Sequence, residues 1–165
     1  MQPKVGILTI SDRGAAGVYE DKSGPLIRQM VTEKLNAVVD RTAIVPDELE
    51  LIKATLLEWV DQHRLDLILT TGGTGFAPRD VTPEATRLVI QKETPGLIWA
   101  MLHDSLAVTP HAMLSRMVAG IRGQTLIVNL PGSPKAIREN LETILPALPH
   151  ALALLQDDPR AQQSH

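Results

Sequence analysis

The chain has 165 residues, a formal net charge of −3 and no cysteine, a length that favours one domain with a core large enough to stand without disulfides and a composition that excludes a thiolate zinc site or a Cys nucleophile. There is no Lys/Arg run and the aromatics are only Tyr19, Trp59, Phe76 and Trp99, so nothing supplies the basic stripe or stacking platform that nucleic acid needs. No apolar run is long enough to span a bilayer and the first ten residues lack the apolar region and cleavage site of a signal peptide, which makes a cytoplasmic enzyme or binding protein the expectation.

Residues 5–10 (VGILTI) form a nearly unbroken apolar run, the pattern of a strand covered on both faces. A polar, glycine-rich loop is expected over 11–24, followed by a helix over 25–35 with Leu26, Ile27, Met30, Val31 and Leu35 at helical spacing. Residues 38–45 read as a second strand. Asp47-Glu48-Leu49-Glu50 has an N-cap acid with Glu three positions on, opening a helix whose apolar stripe is Ile52, Leu56, Trp59 and Val60. Residues 65–69 (LDLIL) read as a third strand that runs into the glycine-rich turn 70–75. Thr82-Pro83-Glu84 marks a helix start, with Thr as N-cap and Pro at the first position. Residues 95–106 read as another helix, while 109–123 shows no decisive period. Residues 126–130 (LIVNL) form a strand, the turn at 131–134 leads into a helix through 145, and a last helix fills 147–156. This alternation predicts a three-layer α/β/α fold, with a mostly parallel sheet and helices on both faces. It forms one domain over 1–156, followed by a polar, frayed tail over 157–165.

In open α/β sheets ligands sit beyond the carboxyl ends of the strands. Four loops hold that position here: Ser11-Asp12-Arg13, Pro46-Asp47-Glu48, residues 70–80 and residues 129–133. Glycines at 72, 73 and 75 let the backbone approach a ligand and aim N–H groups at an anion, and Thr71 and Thr74 add hydroxyls. Taken alone, the triplet fits a ligand loop and a bare strand-to-helix turn equally. It is neither a Walker A loop, since Phe76 follows Gly75, nor a dinucleotide fingerprint, since Pro78 stands where glycine or alanine is required. Asp80 fits a magnesium ligand or a helix-dipole acid, and Asp47 is already accounted for as an N-cap. Together they point to Mg²⁺ bridging phosphates, which one or two carboxylates usually hold. Asn129 interrupts an apolar run at a strand end, where a hydrogen bond to a neighbouring loop would also explain it. The five histidines have no metal-ligand spacing, and no Gly-x-Ser-x-Gly elbow exists for a hydrolase triad.

ILTISDR (7–13), VPDE (45–48), TGGTGFAPRDVTPEAT (71–86), TPG (94–96), LSR (114–116) and NLPGSP (129–134) occur in this order. The set resembles the MogA/MoaB family of molybdenum-cofactor biosynthesis, and also the matching domains of gephyrin and of its plant counterpart. The resemblance covers nearly the whole chain and implies molybdopterin adenylyltransfer: the terminal phosphate of molybdopterin attacks the α-phosphorus of ATP and pyrophosphate leaves, with Mg²⁺ required. By this resemblance Asp47 and Asp80 are the functional aspartates, for magnesium and ATP positioning, and Gly72, Gly73, Thr74 and Gly75 the ligand loop. Ser11, Ser105, Ser115 and Asn129 are polar contacts to the pterin or its phosphate, and Pro131, Gly132 and Ser133 shape the nucleotide side. Arg13, Arg79, Arg116 and Lys135 are candidates for phosphate charge from sign and location alone. The resemblance also implies a homotrimer and a hand-off to a molybdate-inserting enzyme. The length of the chain leaves no room for the extra domains of that second enzyme, which favours the adenylylating step. A protein that binds molybdopterin without turnover, or serves as a scaffold, is the alternative.

Overall fold

The computed structural model describes residues 1–163. Strands β1 (Lys4–Ile10), β2 (Val38–Val45), β3 (Leu67–Thr71), β4 (Lys92–Glu93), β5 (Ala119–Arg122) and β6 (Thr125–Leu130) form one sheet in the order β2-β1-β3-β6-β5-β4. β2, β1, β3 and β6 pair in parallel, and β5 runs against both of its neighbours. Successive strand residues point to opposite faces, and both faces are covered. Val5, Ile7, Leu67, Leu69, Leu126 and Val128 pack on one side under α2 (Ser23–Leu35), α5 (Pro95–Leu106), α6 (Pro134–Ile144) and α7 (Leu148–Leu155). Leu8, Ile10, Ile68 and Ile127 pack on the other under α3 (Leu49–Asp61) and α4 (Thr82–Val89). The fold is the three-layer arrangement that the unbroken apolar runs predict. No helix among the described residues is long and apolar enough to cross a membrane.

Chain order reverses at β1: the chain passes to β2 on one side and returns to β3 on the other. The crevice between the carboxyl ends of β1 and β3 is therefore a topological switch point, the usual ligand position in such sheets.

Several sequence expectations need correction. The third strand begins two residues later than expected, and Thr70 and Thr71 belong to it, fully buried. The loop after β1 contains a short helix, α1 (Asp12–Ala15), capped by Ser11, whose Oγ accepts the Gly14 N–H at 3.0 Å. Helix α3 starts from Glu48, with no side-chain cap, so Asp47 is not an N-cap. Helix α4 is preceded by Val81, and Thr82 lies inside its first turn. The undecided stretch 109–123 resolves into a 3₁₀ turn, Pro110–Leu114, and the reversed strand β5. The expected frayed tail instead makes the helical turn α8 (Pro159–Gln162), capped by Asp158, with Ala161 buried; Ser164 and His165 fall outside the described residues.

Candidate functional site

At the switch point the backbone must turn sharply between β3 and α4, and two glycines make this possible. Gly72 has φ +94°, and a Cβ there would stand 2.3 Å from the Ile10 carbonyl oxygen. Gly73 has φ +68°, and a Cβ there would stand 2.4 Å from Thr82 Oγ1. Only glycine tolerates both the left-handed conformation and the approach. Thr82 fastens the turn: its hydroxyl donates to the Gly72 carbonyl at 3.0 Å and its N–H to the Gly73 carbonyl at 3.1 Å. Among the described residues the N–H groups of Gly73 and Thr74 have no protein acceptor, which leaves backbone donors for an anion.

Both predicted aspartates flank this loop. Asp80 Oδ2 accepts the N–H groups of Gly75 and Ala77, each at 3.1 Å. Asp47 Oδ1 also faces the loop, 3.0 Å from where a Gly73 Cβ would lie. Asp47 Oδ2 accepts the Asp12 N–H at 2.9 Å, and Asp12 Oδ1 accepts the Asp47 N–H at 3.0 Å. Arg79 forks Asp12, Nε to Oδ2 at 2.6 Å and Nη2 to Oδ1 at 2.9 Å. Burial holds the Asp47 carboxyl above the ordinary aspartate value; the Asp12 N–H opposes this, while the charges of Asp12 and Asp80 add to it. The hydrogen bonds from Arg79 hold Asp12 below it. Among the described residues no three His, Asp or Glu side chains converge as a metal cage.

Two clefts open on either side of the turn. The wider, ≈ 320 Å³, is lined among others by Thr74, Gly75, Ser105, Ser115 and Pro131. The narrower, ≈ 140 Å³, is lined among others by Ser11, Tyr19, Asp21, Gly72 and Gly132. Ser115 lines the wider cleft, and its Oγ is buried with no hydrogen-bond partner among the described residues. A larger cavity of ≈ 540 Å³ lies between α2 and the edge strand β2, and the glycine loop does not line it.

The family model described as "Probable molybdopterin binding domain" matches residues 6–150. The chain belongs to this family of molybdenum-cofactor biosynthesis. It is 49% identical over 152 residues to the molybdopterin adenylyltransferase of Helicobacter pylori strain J99, covering 92% of this chain and 86% of that one. It is 48% identical over 172 residues to gephyrin of Dictyostelium discoideum, covering 98% of this chain. The chain spans 24% of the length of that gephyrin and 26% of the Drosophila melanogaster protein cinnamon. The crystal structure of the molybdopterin biosynthesis enzyme MoaB from Thermus thermophilus superposes with a TM-score of 0.90 at 52% identity, covering 96% of this chain and 99% of that one.

In this family member the strand-end loops bring Asp47, Asp80 and the glycine turn together, with Ser105, Ser115 and Pro131 on one flank and Ser11 and Gly132 on the other. The geometry places several of the other candidates more closely. Asn129 does not reach either cleft: it is fully buried, its Oδ1 accepts the Val118 N–H at 3.0 Å, and its Nδ2 donates to Thr70 and Thr86 hydroxyls at 2.9 and 3.0 Å. It supports the loop from beneath. Pro131 lines the wider cleft and not the one shared by Ser11 and Gly132. Ser133 Oγ caps α6, accepting the Ala136 N–H at 3.3 Å. Arg116 is not held out for phosphate: Nε donates to the Gly75 carbonyl and Nη2 to the Asp80 carbonyl, each at 2.8 Å, while Nη1 pairs with Glu84. Arg13 lies over the Tyr19 ring at 5.8 Å, and Lys135 is an exposed partner of Glu139. Asp12 was the residue missed. It stands two residues after the end of β1, as Asp47 stands two after the end of β2, and that repetition was the available signal.

Proposed function

We propose that the chain is a molybdopterin adenylyltransferase. The reading is carried by one observation: the carboxylates of Asp47 and Asp80 flank a glycine turn with free N–H donors, between two clefts. The name of the Helicobacter relative, 86% of which the chain covers, supports the same chemistry. The wider cleft, with its orphan Ser115 hydroxyl, takes molybdopterin, and the nucleotide of ATP enters from the Ser11–Gly132 side. A terminal phosphate oxygen of molybdopterin attacks the α-phosphorus of ATP; the new P–O bond forms as the bond to pyrophosphate breaks. The nucleophile is already an anion, so the site needs no Ser, Cys or His base. It must instead hold two mutually repelling anions in line, and the Gly73 and Thr74 N–H groups act on that charge.

The donor set fits a magnesium ion shared with phosphates: two carboxylates, each with one oxygen free of protein hydrogen bonds among the described residues, and no third acid to complete a cage. Asp47 and Asp80 would hold it. Bound there, Mg²⁺ supplies charge neutralisation at the transferring phosphoryl group. Exposed apolar side chains on and after α5, notably Trp99, Val108, Met113 and Leu114, support the homotrimer that the family resemblance implies, which light scattering measures. Molybdopterin, Mg²⁺ and ATP are supplied together and pyrophosphate is followed. Release dependent on molybdopterin supports the reading, whereas tight pterin binding with no pyrophosphate assigns the chain a binding or scaffold role.

A further inference from the structure

Arg79 is an exposed residue in a loop, and an exposed ion pair ordinarily contributes little. Its partners make it different. The Asp12 carboxylate that Arg79 forks is the acceptor of the Asp47 N–H, and the Asp47 carboxylate is in turn the acceptor of the Asp12 N–H. The loops after β1 and β2 are thus interlocked by two reciprocal bonds. Arg79 bolts the loop after β3 onto that interlock, and the next residue along the chain is Asp80, whose own carboxylate is held by Gly75 and Ala77. The bolt is thus one residue from Asp80 in sequence and one hydrogen bond from Asp47 in space. A planar guanidinium gives two parallel bonds and so fixes orientation as well as distance.

We infer that Arg79 and Asp12 are positioning residues that set the spacing of the Asp47 and Asp80 carboxylates across the glycine turn. This rests on the proposed assignment of the two acids to phosphoryl transfer. Neither Arg79 nor Asp12 needs to touch substrate. Loss of the bolt frees the loops after β2 and β3 to drift apart, and sub-ångström errors in such a site are costly in rate. The bolt lies at the surface and adds little to global stability.

The test combines kinetics with amide hydrogen exchange on the ligand-free protein. In Arg79→Ala we expect kcat to fall on the order of 10–100-fold with the KM for molybdopterin unchanged and the melting temperature within about 2 °C of wild type. The Asp47 amide, bonded to Asp12 in the wild type, should exchange at least ~10-fold faster, while amides of β1 and β3 stay protected. Arg79→Lys should recover little of either, because an ammonium cannot fork a carboxylate. In Asp12→Ala, adding Arg79→Ala should have little further effect on either readout. Unchanged exchange at Asp47 in Arg79→Ala overturns the inference. So does a raised KM for ATP at normal kcat, which would make Arg79 a phosphate contact. If the wild type shows no transfer at all, the functional assignment fails, yet the exchange measurement still decides whether the bolt exists.

Discussion

At the scale of single residues, the site holds one acid, Asp47, where its charge is disfavoured. The Asp47 carboxyl is partly buried and its titration is pushed upward chiefly by that burial. A carboxyl whose value is raised on folding binds its proton more tightly in the native state. Its contribution is therefore favourable below the unfolded value of about 3.9 and is lost as pH rises through the raised folded value. At neutral pH the charged Asp47 thus works against stability. We expect Asp47→Asn, which keeps an acceptor for the Asp12 N–H, to melt higher than wild type at pH 7. The gain should vanish in melts below about pH 3.5. A lower melting temperature at pH 7 would mean that the carboxylate contributes to the fold. Ser115 gives the complementary case. Its hydroxyl is buried with no partner among the described residues, so removing it takes no hydrogen bond from the fold but removes one donor to a charged ligand. Ser115→Ala should melt at or above the wild-type temperature and weaken molybdopterin binding about 10-fold, as titration of pterin fluorescence would measure.

At the scale of elements, what holds the glycine loop is a set of polar tethers placed under and beside it. Arg116 joins the loop to α4 through Glu84 and to the carbonyls of Gly75 and Asp80, and its own N–H bonds to the Thr74 carbonyl at 2.8 Å. Asn129 ties β6 to β3 through Thr70, to α4 through Thr86 and to the start of β5 through the Val118 N–H. A buried amide with every partner satisfied specifies how these elements meet, and its loss leaves the buried Val118 N–H and Thr70 hydroxyl without partners, while the Thr86 hydroxyl keeps its bond to the Thr82 carbonyl. Asn129→Leu should lower stability by about 3 kcal/mol, on the order of 10 °C in melting temperature. Transfer should fall with it. A variant as stable as wild type would show that the amide is not what joins the three elements.

At the scale of the molecule, the layers were legible because each central strand is apolar on both faces. Residues 5–10 and 126–130 need no alternation to be read, since helices cover both sides. β4 and β5 were not legible, for they are two and four residues long and β5 contains Gly120. Thr70 and Thr71 read as loop because their hydroxyls look solvent-seeking, yet Thr71 Oγ1 donates to the Pro131 carbonyl at 2.7 Å inside the fold. Asp47 read as a helix cap by spacing alone. Its carboxylate instead bonds to a residue 35 positions away, a partner that no local pattern contains. The bolt between Arg79 and Asp12 spans 67 positions and was equally invisible. That Asp47, Asp80 and the glycines lie on neighbouring strand-end loops was therefore readable, while the tethers that join those loops were not.

The most direct measurement follows the α-phosphorus of ATP. Protein, molybdopterin, Mg²⁺ and ATP labelled at that phosphorus are mixed in a single turnover, with pterin binding measured separately. We expect label to move onto molybdopterin in the wild type and to fall at least ~100-fold in rate in Asp80→Asn while pterin still binds. Label that stays in the nucleotide with wild-type protein, or an Asp80→Asn protein that transfers it at the wild-type rate, would contradict a site built from two aspartates around a glycine turn.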